Sequence, residues 1–125
     1  KKFNKERNKI ASSYNSKLSK ITNKIKIPYI PKGFTHSFQM YTITVEAKLR
    51  NKLLYFLKKN NIEASAHFDP PLHLQKYLKK YNKKRLTETE KLSKQIITLP
   101  IFPDMTKKEV TYVTKTINRF YKDNN

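Results

Sequence analysis

Apolar residues recur every three or four positions at the start of the chain: Phe3, Ile10, Ala11, Tyr14, Leu18 and Ile21, with polar residues between them. That period puts them on one side of a helix. It predicts an amphipathic helix of about five turns within residues 1–22. No capping residue precedes it, so the chain reads as one cut from something longer. Pro28, Pro31 and Gly33, the only glycine, then mark a linker or an edge segment. The period changes to two in "THSFQMYTITV", residues 35–45, which predicts a strand. Phe38 and Met40 fall on one face, and Tyr41, Ile43 and Val45 on the other. With both faces apolar, this strand is expected to be central and covered on both sides.

Helical spacing returns in "AKLRNKLLYFLKKNN", where Leu49, Leu53, Phe56 and Leu57 form the stripe and Asn60-Asn61 end it. "IEASAHF" predicts a second strand, with Ile62, Ala64, Ala66 and Phe68 alternating inward. After the Pro70-Pro71 break, Leu74, Tyr77, Leu78 and Tyr81 suggest a short helix. Thr87 and Glu90 have the spacing of a capping box, opening a helix that carries Leu92 and Ile96. It runs into "IITLPIFP", a third strand stopped by Pro100 and Pro103. A second box, Thr106 with Glu109, opens a last helix on Val110, Val113, Ile117 and Phe120. The expected fold is a single α+β domain over residues 1–125. A small, mostly antiparallel sheet of about three strands is packed by helices.

A chain of 125 residues holds one modest core. Its 28 Lys and Arg against 9 Asp and Glu give a net charge of +19, and this has two readings. A selected basic face would serve an anionic partner such as nucleic acid. Alternatively, A-rich codons favour lysine, asparagine and isoleucine together, and a solvated surface results. Arginine, the usual phosphate fork, occurs only at Arg7, Arg50, Arg85 and Arg119. The lysines are spread over every segment. No cysteine is present, which excludes disulfides and thiolate metal sites. No apolar run approaches the roughly 20 residues of a membrane span, and a cytoplasmic location is the expectation.

Charge thins out in "EASAHFDPPLHLQKY", residues 63–77, which holds two of the three histidines. His67 and His73 are six apart with Asp69 between them. A metal, however, needs three or four converging ligands, and only His36 remains. A single glycine rules out a glycine-rich phosphate loop. The serines and threonines sit in caps, strands and lysine-rich helices, with no nucleophile–base pairing evident. By its residues alone the chain is not a complete enzyme.

The order of the segments says more. Arg7, Ala11, Tyr14 and Leu18 are followed by the aromatic strand ending Tyr41-Thr42-Ile43. Then come Arg50, Leu53 and Leu57 before Ile62, and after them His67-Phe68 with Pro71-Leu72-His73-x-Gln75. "LPIFPDMT", Leu99 to Thr106, closes the set. Across essentially the whole chain this resembles the C-terminal small domain of the DegT/StrS family of pyridoxal-phosphate-dependent sugar aminotransferases. The resemblance implies the small domain of an aspartate-aminotransferase-like, fold type I enzyme. Such an enzyme moves an amino group from glutamate to a nucleotide-linked keto-sugar.

By that resemblance the His67-Phe68 corner reaches toward bound sugar, with Gln39 and His73 as further substrate-binding candidates. Phe68 stands where family members often have tyrosine, which would remove a phenolic hydrogen bond. The Schiff-base lysine and the main grip on pyridoxal 5'-phosphate are implied to lie in an N-terminal large domain. That domain and a homodimer partner are the implied partners, so this chain alone is expected to be inactive. Plainer readings stand beside each residue. His67 would be a satisfied strand-end histidine, Phe68 and Tyr41 core, and Gln39 would not face the cleft. His73 would hold its loop by bonding backbone, and Arg50 would pack or pair on the surface. At the level of the chain, a basic nucleic-acid-binding module and a non-catalytic relative of the aminotransferases remain the alternatives.

Overall fold

The computed structural model describes residues 2–81 and 84–124. The elements run α1 (Lys2–Leu18), β1 (Tyr41–Thr44) and α2 (Ala47–Lys59), then two short 3-10 helices (Leu72–Leu74 and Lys76–Tyr81). They continue with α3 (Thr87–Ser93), β2 (Ile96–Leu99) and α4 (Lys107–Asp123). β1 and β2 pair antiparallel, with Tyr41 opposite Leu99 and Ile43 opposite Ile97.

One core joins the helices to one face of this sheet. Ile10, Ala11, Tyr14 and Leu18 of α1, Leu53 and Leu57 of α2, and Val110, Val113, Ile117 and Phe120 of α4 are all buried. They form a cluster with Tyr41, Ile43, Ile97 and Leu99. Each of the Leu, Ile, Val and Phe side chains among them contributes about 1.5–3 kcal/mol by leaving water. The Tyr14 and Tyr41 rings stack at 4.8 Å, and the Tyr14 hydroxyl donates to the Pro100 carbonyl at 2.9 Å. That bond ties α1 to the chain just beyond β2.

α2 and α4 form where their periodicity puts them. Asn60 and Asn61 end α2 as expected: the Asn60 N–H and side-chain amide both donate to the Phe56 carbonyl, and Asn61 turns left-handed at φ 55°. Thr106 and Glu109 make the expected capping box on α4. The last core position of α1 is Leu18, and the helix stops there, short of residue 22. Ile21 packs on the core from the turn that follows, whereas Phe3 is exposed.

Several expectations fail for identifiable reasons. Among the described residues the sheet has two strands, not about three. Residues 62–68 exchange one backbone pair with β2, Ser65 with Thr98, and form no strand. Phe68 points outward instead of completing the alternation. β1 begins only at Tyr41, because Phe38 sits at φ 47° and breaks the alternation. Phe38 therefore enters the same core as Tyr41, while Met40 stays exposed. β1 has one buried face, and its other face carries the half-buried Thr42 and Thr44. The Thr87–Glu90 box does not form: the N-cap position of α3 is Leu86, without a side-chain bond. The Glu90 carboxylate is engaged by His73 and Arg85 instead.

Candidate functional site

The sheet face turned away from the core carries a row of hydroxyls. Thr44 exchanges both backbone bonds with Lys26 on the outer side of β1, and Thr98 does so with Ser65 on the outer side of β2. Thr42 and Thr98 are therefore a pair without mutual backbone bonds, the arrangement that brings side chains closest. Their hydroxyls meet at 3.1 Å. Ser65 lies opposite Thr98, so its hydroxyl joins the same face. Two residues on, His67 Nδ1 shares a hydrogen bond of 3.0 Å with Ser65 Oγ. With Nδ1 engaged on an exposed residue, Nε2 is the ring nitrogen outside that bond.

The chain then turns a corner. Phe68 adopts φ 60°, a left-handed conformation that costs a bulky residue about 1–3 kcal/mol and persists only if its surroundings impose it. The ring is 68% exposed and stands 6.2 Å from the His67 ring. Next, the Asp69 carboxylate pairs with the Arg50 guanidinium, which is buried at 8% exposure on α2. Arg50 Nε also donates to the Lys94 carbonyl at 3.3 Å, between α3 and β2. The Asp69–Pro70 bond is cis, and Pro71 is buried. His73 Nε2 then meets Glu90 Oε1 at 3.4 Å, and Arg85 Nε donates to Glu90 Oε2 at 3.1 Å. The Arg85 hydrogen bond, helped by His73, holds the Glu90 carboxyl below the usual carboxylate range against the opposing effect of desolvation.

The expected site residues are thus placed unevenly. His67 and Phe68 are adjacent and solvent-facing. Gln39 is exposed in a shallow depression with Pro28, His36, Ser37 and Thr42, which places it by the Thr42 end of the hydroxyl row. His73 is turned into its contact with Glu90, with only 14% of the side chain exposed. It holds its segment through a carboxylate, where a backbone bond was expected. Arg50 was expected to pack or pair on the surface; it does pair, with Asp69, but from a buried position. Sequence reasoning missed Ser65 and Thr98 altogether.

A model of the DegT/DnrJ/EryC1/StrS aminotransferase family matches residues 1–118. The chain belongs to this family. It is 32% identical to the "Pleiotropic regulatory protein" of Geobacillus stearothermophilus over 124 residues, covering 97% of this chain and 33% of that protein. It is also 29% identical to a dTDP-3-amino-3,6-dideoxy-alpha-D-galactopyranose transaminase of Aneurinibacillus thermoaerophilus over 118 residues, 94% of this chain and 31% of the relative. Among solved structures, a DegT/DnrJ/EryC1/StrS aminotransferase from Brucella abortus superposes with TM-score 0.84 at 27% identity, over 95% of this chain and 31% of that one. The aminotransferase TlmJ from Streptoalloteichus hindustanus shares the fold, with TM-score 0.88 at 21% identity over 98% of this chain and 32% of its own. The chain therefore spans about a third of the length of the family members it matches. Among the described residues, no helix is long and apolar enough to cross a membrane.

Proposed function

We propose that this chain is the C-terminal small domain of a pyridoxal-phosphate-dependent aminotransferase that moves an amino group from glutamate to a nucleotide-linked keto-sugar. The domain spans the whole chain, and α1 connects it to an N-terminal large domain. Its role is to close over the cleft. His67 and Phe68 contact the sugar nucleotide, with Gln39 at the far end of the same sheet face and His73 bracing the corner. One observation carries this assignment: in a chain of this family, an unshielded phenyl ring and an imidazole stand together on a corner fastened at both ends. A ring held in water gains most when it is covered by a flat or apolar ligand surface.

The described residues do not by themselves fit the cofactor. A Schiff base requires an amine that gives up its proton near neutral pH, which burial among apolar groups favours. None of the described lysines is buried, and the most enclosed, Lys17, is only half-covered at the end of α1. This supports placing the cofactor's covalent anchor in the large domain. What this chain supplies is grip and exclusion. His67 Nε2, outside the Ser65 bond, bonds a hydroxyl or phosphate oxygen, and the Phe68 ring displaces water from the ligand's face.

The test is transamination by the longer protein, followed as conversion of a nucleotide-linked keto-sugar to its amino sugar with glutamate as donor. Activity is expected there and none from the 125-residue chain alone. His67→Ala and Phe68→Ala are expected to raise KM for the sugar nucleotide. Turnover by the isolated chain, or unaltered KM in both variants, would refute the assignment.

A further inference from the structure

Arg50 is the buried member of the chain's four arginines, and no described lysine is buried. A cation withdrawn from water has to be answered by an opposite charge or by acceptors. Arg50 has both, from different parts of the fold: the Asp69 carboxylate in the corner and the Lys94 carbonyl ahead of β2. A planar guanidinium can bridge two such acceptors at a fixed angle, whereas an ammonium on a flexible stem cannot. The Arg50 side-chain bonds go to Lys94 and Asp69, not to His67 or Phe68. It acts only on the residue that follows the ring.

We propose that Arg50 is the positioning residue of the sugar-binding corner, fixing the pose of Phe68 through Asp69; this rests on the aminotransferase reading above. Phe68 is left-handed at φ 60°. An L-residue there relaxes to negative φ unless the chain on both sides is held. On the near side, Ser65 exchanges two backbone bonds with Thr98, at 3.1 and 2.8 Å. On the far side the hold is the Asp69–Arg50 pair, directly after the ring. Residues 66–68 make the turn between these two fixed points. Release of the far one lets the Phe68 backbone relax and swings the ring off its outward pose. The corner's order is then prepaid in the folded domain and need not be bought by the ligand, so its loss shows as weaker substrate capture and not as slower chemistry.

Two readouts separate this proposal from the functional reading beneath it. In the 125-residue chain, Arg50→Lys and Asp69→Asn are each expected to lower the backbone heteronuclear NOE at residues 67–69 and to average the Phe68 ring shifts, with α1 and α4 amides unchanged. Asp69→Asn approaches the pair from its more exposed partner and guards against an Arg50 variant that fails to fold. In the longer enzyme, both variants are expected to raise KM for the sugar nucleotide about tenfold with kcat within about twofold of wild type. The double variant is expected to do little more than either single one. Corner amides as rigid as wild type in both variants, or an unchanged KM, would overturn the proposal. A wild-type enzyme without transaminase activity would sink the functional reading instead, leaving the NOE measurement to decide Arg50's role.

Discussion

His67 owes its orientation to one small neighbour. Ser65 is fixed by its backbone exchange with Thr98, so its hydroxyl is a stationary partner for Nδ1. A single hydrogen bond at an exposed site is worth about 0.5–1 kcal/mol, enough to bias a tautomer several-fold. Ser65→Ala is expected to turn a dominant neutral tautomer of His67 into a mixture, read from two-bond proton–nitrogen correlations. An unchanged pattern would mean that the imidazole is oriented by something other than Ser65. The contribution of Ser65 was invisible in sequence, because serine at an i, i+2 spacing from histidine is common. It becomes meaningful only when Thr98, 33 positions later, pins it. Arg50 was singled out in sequence, but its partner was not, for the same reason: Asp69 lies 19 residues away, outside any helical or strand spacing.

At the scale of elements, the two look-alike caps give a direct comparison. Thr106 accepts the Glu109 N–H at 3.2 Å, and the Glu109 carboxylate takes the Thr106 N–H at 2.6 Å. Thr87 heads a helix whose Glu90 is already committed to Arg85 and His73. Thr106→Ala is therefore expected to cost about 1 kcal/mol in urea unfolding, whereas Thr87→Ala stays within about 0.5 kcal/mol of wild type. Both sequences carry the same signature, and tertiary competition for one carboxylate separates them. Periodicity and caps are local, which is why α2 and α4 could be read directly. The start of β1 could not be, since it depends on the left-handed Phe38, and residues 62–68 alternate like a strand yet hold only one rung.

These carboxylates also set an acid dependence. Hydrogen bonds from the Thr106 hydroxyl and N–H hold Glu109 below the ordinary range, and Arg85, with His73, does the same for Glu90. In the unfolded chain both return to about 4.3. The native state then binds fewer protons, so the stabilisation is complete above that value and disappears as pH falls through the lower folded values. Between about pH 6 and pH 3, wild type is expected to lose more stability than the double variant Glu90→Gln/Glu109→Gln. Equal losses in urea titrations would remove these two groups from the account.

The whole molecule carries 19 more positive than negative side chains, and ion pairs among the described residues include Lys48 with Glu46, Arg50 with Asp69, and Arg85 with Glu90. Such an excess opposes compaction by self-repulsion. Raising salt from about 0.01 M to about 0.15 M shortens the screening length from about 30 Å to about 8 Å. The expected result is a rise in Tm of a few degrees by scanning calorimetry; a flat or falling Tm would mean that the lysines are spaced widely enough not to matter. The overall α+β plan was evident from the alternation of periods. The number of strands was not, because four-residue strands leave little pattern to count.

A two-stranded sheet ought to be sticky, since each strand offers an open flank to any extended peptide. Here the outward-facing residues of β1 are Thr42 and Thr44, and Thr44 is already occupied by Lys26; on β2, Ser65 takes Thr98 in the same way. Neither intruding segment continues far enough to present a fresh template of its own. The single rung at Ser65, too little to make residues 62–68 a strand, is still enough to shield β2 from a stranger's, which lowers the pull toward edge-to-edge association.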